Sequence, residues 1–147
     1  MHQRRTLLKQ DKSRITLAVC TNATGSDKLP LLLIGKSVKP RWIKDKPDAI
    51  QYKSTKKAWM TTDVVEAWLK DVNASMKDQG REILMLVDNA SSHCPDGIVL
   101  YNVRLEKLPP NTTSMLQPLD QGIIYCLKRD VLTRVMLHAL DEMDIVV

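Results

Sequence analysis

An unbroken apolar run, Ile83-Leu84-Met85-Leu86-Val87, ends abruptly in Asp88-Asn89. Its length is that of a strand, and a run with no polar interruption predicts a strand buried on both faces, as in the middle of an α/β sheet. The C-terminal ends of strands in open α/β sheets are where ligand crevices form. Asp88, placed directly at such an end, is therefore the first candidate for chemistry.

The segments around it support a mixed α/β domain. Arg14 to Cys20 alternates and is β-branched, which predicts a strand. The turn cluster Asn22-Ala23-Thr24-Gly25-Ser26-Asp27 then leads to Leu31-Leu32-Leu33-Ile34, a second strand ended by Gly35, so the two make a hairpin. Lys36 to Lys57 is basic and loop-like, broken by Pro40 and Pro47, with a short strand near Gln51-Tyr52. Thr61-Thr62-Asp63 is a cluster of helix N-cap residues, and Asp63 with Glu66 has capping-box spacing. Val64, Val65, Trp68, Leu69, Val72 and Met76 recur on one helical face, a core stripe that should end near Gly80. Val103 to Leu108 alternates as another strand, and Pro109 to Thr113 is a rigid turn. From Leu119 the spacing Leu119, Ile123, Leu127, Val131 predicts a helix to about Leu140. The expected organisation is one domain over 12–140, a remnant at 1–11 and a tail at 141–147.

Composition removes several classes. Apolar content of 44% and charged content of 27% are those of a globular chain, not a disordered one. No apolar run approaches the ~20 residues of a membrane span, and the N-terminal stretch carries no apolar signal core. The expectation is a soluble intracellular protein with no membrane partner. Three cysteines, Cys20, Cys94 and Cys126, without a Cys-x-x-Cys pair argue against a disulfide framework and a zinc ribbon. His93 beside Cys94 is half of a zinc spacing with no second half.

Charge is distributed unevenly. Residues 1–57 hold 14 Lys/Arg against 4 Asp/Glu, a balance of +10, and residues 58–147 hold 8 against 13, a balance of −5. A basic half beside an acidic half fits a polyanion-binding surface next to a cation-binding site, or a solvated basic face with no partner. Asp120, at the start of the last predicted helix, shares a helical face with Ile123, Ile124 and Leu127. If those pack on a sheet, Asp120 points at it too, and a hard divalent cation such as Mg²⁺ or Mn²⁺ would offset the cost of burying that carboxylate. Alone, each aspartate reads equally as a turn residue or a helix cap.

Four strings narrow the choice: RITLAVCTNATGSDKLPLLLIGKS at 14–37, YKSTKKAWMT at 52–61, ILMLVDNASSH at 83–93 and LPPNTTSMLQPLDQGII at 108–124. They resemble the DDE superfamily endonuclease domain of pogo/Tigger-type transposases and their jerky and centromere-protein-B relatives. The resemblance implies an RNase H-like mixed sheet with flanking helices. It also implies two-metal phosphoryl transfer with ions ~3.5–4 Å apart. Asp88 looks like the family's second metal-binding carboxylate and Asp120 like its third. Asn89, His93 and Gln121 share those motifs and would hydrogen-bond the ligands, or serve only loop and cap bonding.

The family's first carboxylate lies on a strand upstream of the hairpin. Asp11 is the only acidic residue before it and sits at the wrong place, so the first ligand and the first, central strand are expected to be missing. Three readings follow. One is a nuclear, cleavage-deficient, transposase-derived nucleic-acid-binding protein whose Lys36, Lys39, Arg41, Lys44, Lys46, Lys53, Lys56 and Lys57 meet DNA phosphates, with Mg or Mn bound weakly or not at all. Another is a truncated record of an active Mg-dependent DNA endonuclease. The third is a domesticated module with a protein partner. None implies a small-molecule substrate.

Overall fold

The segment after Arg14 forms a hairpin. In a computed structural model describing residues 14–93, 95 and 97–144, β1 (Thr16–Ala18) pairs antiparallel with β2 (Leu31–Gly35), Thr16 opposite Ile34 and Ala18 opposite Leu32. The Asn22 amide closes the turn. Its Oδ1 accepts the Asp27 N–H at 3.1 Å and its Nδ2 donates to Ser26 Oγ at 3.0 Å. Segment 1–11 with Asp11, Cys94, and residues 145–147 of the expected tail lie outside the described residues. The chain divides into two compact units, one from residues up to Asn22 and Ser26–Met60, the other from Ala23–Gly25 and Thr61 onward.

In the first unit β2 also pairs parallel with β3 (Ile50–Ser54), in register from Leu31 opposite Ile50 to Gly35 opposite Ser54. The crossover between them holds a short 3-10 turn, Arg41–Asp45, entered from extended Pro40. As the middle strand, β2 buries Leu32 and Ile34 completely, and Ala58 joins them. Gly35 has a specific reason to lack a side chain. A Cβ there would lie 2.5 Å from the Tyr52 hydroxyl, which donates to the Ser37 carbonyl at 2.6 Å. Tyr52 in turn meets the Trp42 ring at 84°, centroids 5.2 Å apart. Tyr52 thereby ties the crossover to the end of the sheet.

The second unit opens with α1 (Thr62–Asp78). Of the predicted stripe, Val65, Leu69, Val72 and Met76 are buried, while Val64 and Trp68 are half-buried. The cap is Thr61, whose hydroxyl accepts the Val64 N–H at 3.4 Å. The predicted Asp63–Glu66 capping box does not form, and Glu66 pairs instead with Lys70 one turn on, at 2.6 Å. The helix ends where Gly80 takes φ +61° and the Arg81 N–H reaches back to the Met76 carbonyl, a glycine-terminated stop.

β4 (Ile83–Val87) and β5 (Val103–Lys107) then pair in parallel. Asn73 of α1 anchors them, its Oδ1 accepting the Asn102 N–H at 2.8 Å while Asn102 Nδ2 donates to the Arg81 carbonyl at 3.0 Å. The expected burial of β4 on both faces is not found. Met85 is buried, but Leu84 and Leu86 are 59% and 56% exposed. Alternate side chains of a strand face opposite ways, and among the described residues only one face of this two-stranded sheet is covered.

The predicted helix from Leu119 is interrupted as well. After the short α2 (Thr113–Leu116), a wide turn spans Leu119–Ile123, with Gln121 at ψ +35° and Gly122 at φ +117°, and α3 (Ile124–Asp144) starts beyond it. Asp120 is therefore out of helical phase with Ile124 and Leu127. The described residues form a mixed α/β structure of two small sheets and three α-helices. No helix among them is long and apolar enough to cross a membrane.

Replacing Gly35 with Ala should destabilise the protein by about 1–3 kcal/mol through overpacking. Adding Tyr52→Phe removes the clashing hydroxyl, so urea denaturation of the double variant should show less loss than the two single variants summed.

Candidate functional site

Parallel pairing delivers Asp88 to the end of β4, where the chain turns back on itself. Asp88 Oδ1 accepts the Ala90 N–H at 3.2 Å, and a short 3-10 turn, Ser91–His93, brings His93 Nδ1 into close contact with the same oxygen. Both side chains are half-buried. A carboxylate oxygen only accepts, so the imidazole presents its Nδ1–H to Asp88 and turns Nε2 away. Asp88 Oδ2 accepts no hydrogen bond among the described residues, which leaves a hard oxygen donor oriented by its neighbours. Asn89, next in sequence, is exposed.

Asp120 stands differently. It is exposed in the wide turn before α3, its own N–H bonded to the Gln117 carbonyl at 3.1 Å. Gln121 Nε2 donates to the Met115 carbonyl and so ties this turn to α2 rather than to a carboxylate. Gln117, which the sequence reading passed over, has a buried Oε1 with no hydrogen-bond partner among the described residues. Its position before Pro118 gave no signal of this. Among the described residues no group of three or more His, Cys, Asp or Glu is placed to hold a metal ion. Asp88 and His93 come together, and Asp120 does not complete a ligand set with them. The donors are chemically suited to Mg²⁺ or Mn²⁺ but too few, as placed, for two ions. A shallow groove of ≈ 240 Å³ lined by Glu82, Ile83, Leu84, Tyr101, Asn102 and Arg104 lies at the opposite end of β4 from Asp88.

The basic residues belong to the first unit. Lys36 leaves the end of β2. Lys39, Arg41, Lys44 and Lys46 ride the crossover, Lys53 lies in β3, and Lys56 and Lys57 follow it. Because β2 and β3 run parallel with Gly35 opposite Ser54, Lys36 and the Lys56-Lys57 pair leave the same sheet edge. All but Lys46 are exposed, and none has an ion pair among the described residues.

A sequence model of the DDE superfamily endonuclease matches residues 12–146. The chain belongs to this family. Its relatives are pogo-type transposase relatives. It is 39% identical over 129 residues to ARS-binding protein 1 of Schizosaccharomyces pombe, covering 80% of this chain and 24% of that protein. Tigger transposable element-derived protein 4 of Mus musculus is 37% identical over 118 residues, 80% of this chain and 23% of its own length. The major centromere autoantigen B of Homo sapiens is 29% identical over 136 residues, 92% and 22%. The chain thus spans about a quarter of the length of these curated relatives. No solved structure matches it. Asp88, Asp120 and the basic segment all fall inside the matched family region.

Cys20 and Cys126 are free thiols. Burial first, and Asp27 second, push the Cys20 thiol above its ordinary value, so it holds less thiolate at any given pH. Iodoacetamide at pH 8 should alkylate exposed Cys126 faster than Cys20, read by peptide mass spectrometry. The rate at Cys20 should still be rising with pH above the range in which an ordinary thiol ionises.

Proposed function

We propose that this DDE-family chain is a transposase-derived, nuclear nucleic-acid-binding protein with an RNase H-like fold, and that it cleaves DNA strands weakly or not at all. The carrying observation is the cation set Lys36 to Lys57, exposed at every position but Lys46 and without ion pairs among the described residues, gathered on one small sheet and its crossover. Each such side chain that neutralises a phosphate releases a condensed counterion. The relatives' names agree with this reading: one is an ARS-binding protein, one is transposable element-derived and one is a centromere autoantigen.

Asp88 and Asp120 would be two carboxylates of the family's metal site. Asp88 would present Oδ2 to a divalent cation while His93 holds Oδ1, and Asn89 and Gln121 would support the loops that carry the two aspartates. A cation held there would supply Lewis-acid stabilisation of a phosphate oxygen. Two carboxylates suit one weakly bound ion, which is why little cleavage is expected.

Binding to a duplex DNA should weaken steeply with salt, with a log–log slope of about −0.9 for each phosphate contacted. Salt-independent binding, or none at low salt, would sink the proposal. For the metal, Mn²⁺ titration followed by amide NMR should broaden signals at both Asp88 and Asp120, and His93→Ala should weaken Mn²⁺ affinity roughly 10–100-fold. Broadening confined to unrelated acidic residues would remove these aspartates from any metal site.

A second reading, a protein-interaction module, is favoured by α3, where Val131, Leu132, Val135, Met136 and Leu137 are all exposed. Partners retained in a pull-down after nuclease treatment would support it.

A further inference from the structure

Tryptophan is among the more buried residue types on average, yet the first unit exposes two. Trp42 is 40% exposed and Trp59 54%. Both sit among the cations: Trp42 directly follows Arg41 and precedes Lys44, and Trp59 follows Lys56-Lys57 by one residue. Neither ring is a loose side chain. The edge-on contact with Tyr52 fixes the tilt of Trp42, and Tyr52 is itself pinned to the Ser37 carbonyl. Trp59 has the Arg14 guanidinium 4.8 Å from its ring centroid. Its backbone is locked by Thr55, whose hydroxyl accepts the Trp59 N–H at 3.0 Å and lies 3.1 Å from the Trp59 carbonyl. Ala58 between them is fully buried with φ +54°, which anchors the loop from below.

From this geometry we infer that the first unit binds single-stranded nucleic acid, with Trp42 and Trp59 as stacking platforms for unpaired bases and the neighbouring lysines on the phosphates. The inference rests on the nucleic-acid reading above and adds the strandedness of the ligand. Lysines alone grip a duplex and a single strand alike through phosphate charge. Exposed, pre-oriented aromatic faces reward only bases that are already unstacked, because a base inside a duplex has both faces covered. The Arg14 guanidinium covers one face of the Trp59 indole, so a base would stack on the other face with that charge close by.

The test uses the full chain with labelled oligo-dT and a duplex of equal length, followed by anisotropy at low salt. An oligo-rU of that length distinguishes a DNA strand from an RNA strand as the natural source. Oligo-dT should bind tighter than the duplex and quench tryptophan fluorescence. Trp59→Ala should weaken oligo-dT binding at least about fivefold while leaving duplex binding unchanged, and Trp42→Ala should weaken oligo-dT binding by a larger factor than it weakens duplex binding. Trp42→Phe, which keeps a ring against Tyr52, should fall between wild type and Trp42→Ala, separating lost stacking from lost packing. Lys56→Ala with Lys57→Ala should weaken both ligands. Equal binding of strand and duplex, without quenching and insensitive to both tryptophans, overturns the stacking inference and leaves the phosphate-binding reading standing. Absence of binding to either ligand at low salt overturns both.

Discussion

Parallel strand pairing positions Asp88 and the cations that follow β2 and β3 in this chain. In a parallel pair both C-terminal ends lie at one edge, and whatever follows each strand begins there. For β2 and β3 that edge starts Lys36 and the Lys56-Lys57 loop. For β4 and β5 it starts Asp88-Asn89 and Leu108. The Leu108 N–H bonds to the Val87 carbonyl at 2.9 Å, so the ladder runs to the last residue before the aspartate. Slipping either register would move these groups off their common edge.

The close approach of Tyr52 to Gly35 shows how much of the basic surface depends on packing. The crossover from Lys36 to Ala49 contains only a short 3-10 turn, and its order comes from Tyr52 reaching Ser37 and bracing Trp42. Any residue larger than glycine at position 35 would push Tyr52 away and release the segment that carries Lys39, Arg41 and Lys44. The opposite condition holds on β4 and α3, which present Leu84, Leu86, Val131 and Val135 to solvent. Exposed apolar rows of this kind mark surfaces that bind other molecules or other parts of a protein.

The helix α1 was legible in the sequence because every local signal agreed: threonines at its start, apolar residues at helical spacing and Gly80 at its end. The hairpin was legible for the same reason. The capping box was misread because the hydroxyl of Thr61 reaches the Val64 N–H first, leaving Glu66 free for Lys70. The continuous helix from Leu119 was misread because apolar spacing is blind to a glycine at φ +117°, which lets the chain turn while the apolar pattern continues. That error carried Asp120 onto a face it does not share. The Asp88–His93 contact, by contrast, is local enough that one short motif contained both partners.

By itself the sequence determined the family, the strands and first helix, and the cluster of cations, and it singled out Asp88 and Asp120 as candidates. These are written in short stretches of chain, where periodicity and motif act over a few residues. Tertiary structure decided the rest. It put β3 parallel beside β2, left one face of β4 open, and set the tilt of Trp42 through Tyr52. It also joined His93 to Asp88 while leaving Asp120 in a turn of its own. Such outcomes depend on which surfaces meet and which backbone groups pair across long stretches of chain, and no local pattern encodes that.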